Sequence, residues 1–187
     1  MSAITDMQDR STCILFGDGA GGVMLEPSID PNVGLVDFEV HADGSEGKSL
    51  QMPGGGSLDP ASHGSVDQRM HFIQQDGKAV FKSAVQKMVE VSLSLLKSNG
   101  MSTDDLTLFV SHQANMRIVS ATTERMGLPL EKVMANIEKY ANTTAATIPI
   151  ALSEAVEQNC LQRGDLVQFT AVGGGLTWGN ALVRWGA

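Results

Sequence analysis

The sequence is poor in several kinds of residue that define whole protein classes. It holds 2 cysteines in 187 residues, too few for a disulfide scaffold in a chain of this length. Lys and Arg number 13 against 21 Asp and Glu, giving a net charge of −8. The basic residues form no run and do not interleave with aromatics, which argues against a general nucleic-acid or membrane-surface binder. No apolar stretch approaches the roughly 18 residues of a membrane span. Met1–Arg10 carries Asp6, Asp9 and Arg10 with no long apolar core behind it, unlike a signal peptide. His41, His63 and His71 have no carboxylates or cysteines at ligand spacing, so neither a metal nor another cofactor is expected. These absences predict a soluble, cytoplasmic protein. Hydrophobic content of 42% is ample for one compact core.

What is present is an alternation of strand and helix patterns. Thr12–Phe16 and Gly22–Glu26 read as apolar strands, separated by Gly17, Gly19 and Gly22. Those glycines formally make G-x-G-x-x-G, but a dinucleotide fingerprint must open a helix, and this one opens a β-like run halted by Pro27. Close passage of the backbone beside a neighbouring loop explains them better. Ser28–Asn32 is the clearest punctuation and divides residues 1–30 from 31–187. Val33–His41 alternates as a strand. Ala42 to about Ser65, rich in Gly, Ser, Asp and Pro, is a long loop, either functional or a flexible linker. From Asp76 an apolar stripe through Val80, Phe81, Ala84, Val85, Met88, Val89, Leu95 and Leu96 predicts a helix that Gly100 ends. Strands are expected at Leu106–Val110, Val133–Ile137, Leu166–Val172 and Thr177–Trp185. Helices are expected after His112 and from about Thr143, the second kinked or delayed by Pro149. Strands alternating with helices imply a largely parallel, helix-covered sheet.

Two polar stretches sit where a strand ends and a helix begins: Ser111-His112-Gln113-Ala114-Asn115-Met116-Arg117-Ile118 and Tyr140-Ala141-Asn142-Thr143-Thr144-Ala145-Ala146. In open α/β sheets that rim binds ligands. Each residue alone has a plainer explanation: His112 as a hydrogen-bonded structural histidine, Asn142 as a helix N-cap. Gly173-Gly174-Gly175 is either a tight turn or a loop whose backbone N–H groups meet a ligand. Cys13, in an apolar strand pattern, and Cys160, near a helix C-terminus, both suit a structural thiol better than a nucleophile.

Taken together, His112–Ile118, Asn142–Ala146 and Gly173-Gly174-Gly175-Leu176-Thr177-Trp178-Gly179 resemble β-ketoacyl-acyl carrier protein synthase III, as do Gly17–Gly22 and Val80-Phe81-Lys82 in the same order. The resemblance covers the family's C-terminal half. It implies a thiolase-like α/β fold with a mostly parallel five-stranded sheet covered by helices, residues 1–30 being the tail of the preceding half. It also implies a decarboxylating Claisen condensation between an acyl-CoA primer and malonyl-acyl carrier protein, the step that initiates fatty-acid chains. His112 and Asn142 would be two members of a Cys–His–Asn triad, Gly174 an oxyanion-hole donor, and Arg117, Lys82 and Arg125 the contacts for acyl carrier protein. An ordinary solvated charge explains Arg125 equally well. The expected partners are the carrier protein, the primer, a missing half bearing the nucleophilic cysteine, and a second copy in a homodimer. Alternatives are a related acyltransferase making quinolone, polyketide or ester products, or a folded but inactive fragment.

Overall fold

In the computed structural model, which describes residues 1–186, the first strand is β1 (Gly34–Ala42). The segment 43–76 holds only short elements: a 3-10 helix (Gly44–Ser49), β2 (Leu50–Gln51), α1 (His63–Asp67) and β3 (Gln74–Gln75), with β2 and β3 paired apart from the main sheet. The long amphipathic helix α2 (Gly77–Ser98) starts where the Asp76 carboxylate accepts from the Lys78 and Ala79 N–H groups. It stops at Asn99–Gly100, with Gly100 at φ +68°. Then come β4 (Leu108–Ser111), α3 (Met116–Met126), β5 (Val133–Met134), α4 (Ile137–Tyr140) and α5 (Thr147–Glu157). β6 (Leu166–Gly173) and β7 (Thr177–Arg184) close the chain as a hairpin.

The main sheet has the order β1-β7-β6-β4-β5. β4, β5 and β6 are mutually parallel, and β7 runs against both β6 and β1. Every strand but β7 therefore points the same way, and the mostly parallel five-stranded sheet expected from the sequence is what forms. Helices α2 and α3 cover one face, burying Leu95, Leu96, Phe109, Met126, Leu166 and Leu182 in one cluster. Full burial of a side chain of this size stabilises by about 1.5–3 kcal/mol. On the opposite face α5 buries Ala151 and Ala155 against Leu108, Val110 and Val167. That cover stops short of β1, where Leu35, Phe38 and Val40 remain exposed at 61%, 58% and 73%.

Three strand expectations are corrected. Thr12–Phe16 is a series of turns closed locally by Cys13 N–H to Asp9 O and Leu15 N–H to Thr12 O, ending in one parallel bridge from Phe16 to Asn142. Gly22–Glu26 forms no strand, and Val23, Met24 and Leu25 stand exposed. Both runs have strand-like composition but no sheet neighbour, and a strand needs one to satisfy its backbone. The Val133–Ile137 strand is only two residues long because Asn136 turns the chain into α4. Of the two outcomes expected at Pro149 the later start is found: α5 begins at Thr147 and not about Thr143, and Pro149 is its third residue, in the first turn, where its missing N–H has no intrahelical partner to lose.

Candidate active site

Asn142 is held by its backbone before its side chain does anything. Its N–H donates to Leu15 O (3.0 Å) and its carbonyl accepts from Gly17 N–H (3.0 Å), so the N-terminal segment clasps it from both sides. The glycines there admit this approach: a Cβ on Gly17 would lie 2.4 Å from Tyr140 O, and one on Gly21 2.7 Å from a Pro149 ring carbon. Close passage past a neighbouring loop, expected from the sequence, is thus found. The Asn142 Oδ1 accepts from Thr144 N–H at 2.9 Å, an Asx turn into the first turn before α5. With the amide oxygen so engaged, the NH2 group is left to donate elsewhere. The N-cap of the following turn is Thr143 and not Asn142, and the Asx turn at Asn142 is compatible with an outward donor.

His112 follows β4 directly, its N–H bonded to Thr170 O at 2.7 Å on the adjacent β6. Its Nδ1 lies 2.7 Å from Thr147 Oγ1 at the start of α5. No carboxylate accompanies it, and burial alone pushes its pKa down to about 4, so the imidazole is neutral at ordinary pH. His112 and Asn142 both line two cavities. One is an open apolar basin of about 1240 Å³ on the sheet face left bare by α5, floored by Phe38, Val40, Phe169 and Ala181. The other, about 670 Å³, leads out past Phe81, Asn115 and Arg117 between the starts of α2 and α3. Phe16, Leu50 and Gly173 also face both.

Two groups away from the cavities fix the geometry. Gln113, fully buried, donates to Ser111 O (2.8 Å) and Met134 O (3.3 Å) and accepts from Asn136 N–H (3.2 Å), tying the His112 loop to the chain leading to Asn142. Glu154 on α5 accepts from Asn136 Nδ2 (2.8 Å), Tyr140 OH (2.7 Å) and Lys139, which anchors α4. The Lys139 ammonium, then the Tyr140 hydroxyl and Asn136 amide, hold the Glu154 carboxyl down at about 2.

The remaining sequence candidates fall in different places. Gly174 lies in the β6–β7 hairpin turn, lines the apolar basin, and approaches Leu50 O so closely that a Cβ would sit 3.4 Å away. Arg117 is exposed at the mouth of the second cavity, its guanidinium 5.3 Å from the Phe81 ring centroid. Lys82 and Arg125 are exposed but line neither cavity, and Arg125 occupies the last turn of α3, about 12 Å from Arg117 at 1.5 Å per residue. Cys13 and Cys160 line neither cavity. Thr147 and Gln113 were not singled out in the sequence. The only signals for them were a threonine at the expected helix start and a glutamine flanked by candidate residues.

Comparison with known proteins places this arrangement in a family. Residues 96–185 match the model described as 3-oxoacyl-[acyl-carrier-protein] synthase III C terminal, and residues 1–44 match that of 3-oxoacyl-[acyl-carrier-protein] synthase III. The chain is 52% identical over 186 residues to the β-ketoacyl-[acyl-carrier-protein] synthase III of Chlorobaculum tepidum, covering 99% of this chain and 56% of that protein. The crystal structure of 3-oxoacyl-[acyl-carrier-protein] synthase III from Aquifex aeolicus VF5 is similar at a TM-score of 0.87 and 41% identity, over 98% of this chain and 55% of that one. The priming β-ketosynthase of the R1128 polyketide pathway is similar at a TM-score of 0.83 and 28% identity, over 100% and 55%. The chain thus spans a little over half the length of the relatives it matches.

Proposed function

Because the chain belongs to the 3-oxoacyl-[acyl-carrier-protein] synthase III family, we propose that it is the C-terminal half of an acyltransferase that condenses an acyl-CoA primer with malonyl-acyl carrier protein. The observation that carries this reading is a neutral imidazole sharing a cavity with a carboxamide whose oxygen is already engaged. Loss of carbon dioxide from a malonyl thioester leaves an enolate. Neutral N–H donors stabilise its oxygen without readily protonating the carbanion that must go on to attack. His112 and Asn142 are the groups proposed for that task. Gly174 is proposed to serve the other oxyanion, on the acylated nucleophile, through its backbone N–H.

The nucleophile is proposed to come from a preceding half. Neither cysteine of this chain lines a cavity with His112, which supports that assignment. In this reading residues 1–30 are the tail of the cysteine-bearing half and residues 31–187 the C-terminal domain, with the bare apolar basin over β1, β6 and β7 as the seat of the missing half. This chain alone is then inactive. The complete enzyme is proposed to act as a cytoplasmic homodimer, a proposal compatible with the lack, among the described residues, of a helix long and apolar enough to cross a membrane. Arg117, on the cavity rim, is the leading candidate for docking an acidic carrier protein. Lys82 and Arg125 are proposed as outlying contacts.

The test is Asn142→Asp in the complete enzyme, following carbon dioxide release from labelled malonyl-carrier protein beside acyl-enzyme formation. A carboxylate has the same shape but accepts instead of donating, and it repels the enolate. Decarboxylation should fall by about 10²–10³-fold while acylation persists. Undiminished carbon dioxide release would remove the carboxamide from the chemistry and leave Asn142 a turn residue.

A further inference from the structure

The Thr147 hydroxyl lies between a carbonyl oxygen and a ring nitrogen. It lies 2.8 Å from Thr144 O, to which it donates, and 2.7 Å from His112 Nδ1. A hydroxyl has one proton, so it cannot donate to both. Thr144 O already accepts the Thr147 backbone N–H, so the hydroxyl can turn away without orphaning that carbonyl. Thr147 is itself buried. The orientation of this one proton therefore decides which nitrogen of the neutral imidazole carries hydrogen.

With the hydroxyl on Thr144 O, His112 Nδ1–H donates to Thr147 Oγ1, two hydrogen bonds form in series, and Nε2 keeps its lone pair. With the hydroxyl turned to Nδ1, one of those bonds is lost and Nε2–H becomes a donor. The first arrangement makes more bonds and is the resting one.

We propose that Thr147 is a positioning residue that sets the tautomer of His112, making the imidazole a proton acceptor at Nε2 at rest and permitting it to become a donor when its hydroxyl rotates. The proposal rests on the condensing-enzyme reading and deepens it, because that reaction needs both states. During primer transfer Nε2 takes the thiol proton as sulfur bonds the primer carbonyl carbon. As the C–S bond to the departing thiolate breaks, the same proton goes to that leaving sulfur, and the imidazole is unchanged. During decarboxylation an Nε2–H must face the enolate oxygen. Moving hydrogen from Nδ1 to Nε2 through water leaves the proton count unaltered, and Thr147 stabilises both ends of the change.

Nitrogen-15 spectra of His112 in this chain test the structural half directly. The wild type should show a pyrrole-type Nδ1 and a pyridine-type Nε2, and Thr147→Ser should keep that pattern. Thr147→Val should shift hydrogen to Nε2, with the backbone amide spectrum showing that the fold persists. Thr147→Ala predicts the same shift should Val disturb packing. A pyridine-type Nδ1 in the wild type, or no change on removing the hydroxyl, overturns the proposal. In the complete enzyme Thr147→Val should slow primer transfer by about 10²-fold, the low end of general-base contributions, and decarboxylation much less, with Ser restoring transfer. Equal losses in both steps overturn the catalytic half. A parent enzyme that releases no carbon dioxide at all would sink the condensing reading, whereas the nitrogen spectra would still decide the tautomer.

Discussion

Gln113→Leu removes the strut between the two loops of the site while preserving most of the volume. The wild-type side chain is fully buried and makes three hydrogen bonds, of which the 2.8 Å bond to Ser111 O is the shortest. Leucine leaves the Asn136 N–H without its side-chain acceptor and withdraws a donor from Ser111 O and Met134 O. An orphaned buried group costs about 1–3 kcal/mol. One fully orphaned donor and two weakened acceptors, offset by the apolar gain of leucine, sum to about 3 kcal/mol. At roughly 2–4 °C per kcal/mol for a chain of this size, Tm should fall by roughly 6–12 °C in a thermal melt followed by circular dichroism. Gln113→Glu adds a sign that no cavity argument can imitate. A buried glutamate here can accept from Asn136 N–H but faces two carbonyl oxygens when ionised, so burial and repulsion raise its folded pKa above the unfolded value of about 4.3. A raised carboxyl pKa means stability present at low pH and lost as pH rises through the folded value. The gap between this variant and the wild type should therefore widen from pH 4 to pH 8. A cost for leucine below about 1 kcal/mol, or a glutamate gap independent of pH, would refute the strut.

Two further predictions follow from the same site. His112 has its pKa lowered from 6.5 to about 4 in the folded chain, so below pH 6.5 the unfolded state binds a proton that the folded state refuses. The stabilisation is complete above 6.5 and lost as pH falls towards 4, amounting to about 3 kcal/mol at most, and urea titrations should show His112→Asn losing that much less over this window. Arg117→Glu in the complete enzyme should raise KM for carrier-protein substrates by at least about 10-fold, most at low salt, with small acyl-CoA substrates little affected. Equal losses for both substrates would place Arg117 in substrate binding within the cavity or in holding α2 through Phe81.

The elements with a strong helical period were legible in the sequence. The stripe from Val80 to Leu96 fixes α2 almost to the residue, because its Asp76 cap and Gly100 stop are local signals. The strands of the main sheet were legible for a similar reason, each being an apolar run between turn residues. Residues 12–26 were not, since their composition encodes a readiness to pair and their outcome depends on a neighbour. The abrupt end of β5 was also hidden: Asn136 turns the chain there through contacts with Gln113 and Glu154, which are 23 and 18 residues distant. His112 and Asn142 stood out as polar residues at strand ends. How the His112 ring is held did not, because its Nδ1 meets Thr147 Oγ1, 35 residues distant, whereas the Asn142 turn onto Thr144 N–H is a local contact.

The clasp on Asn142 also bears on how such a protein can be cut and rejoined. By sequence punctuation alone, Ser28–Asn32 is the natural place to splice a foreign N-terminal half onto this domain. A chimera joined there would replace Leu15 and Gly17, the backbone partners on either side of Asn142, together with the glycines that admit the 140–150 segment. The carboxamide would keep its sequence context and lose its mould. A junction placed on the N-terminal side of Leu15 leaves that mould intact, so exchangeable halves of this fold should be sought with Leu15–Gly21 kept on the C-terminal side of the join.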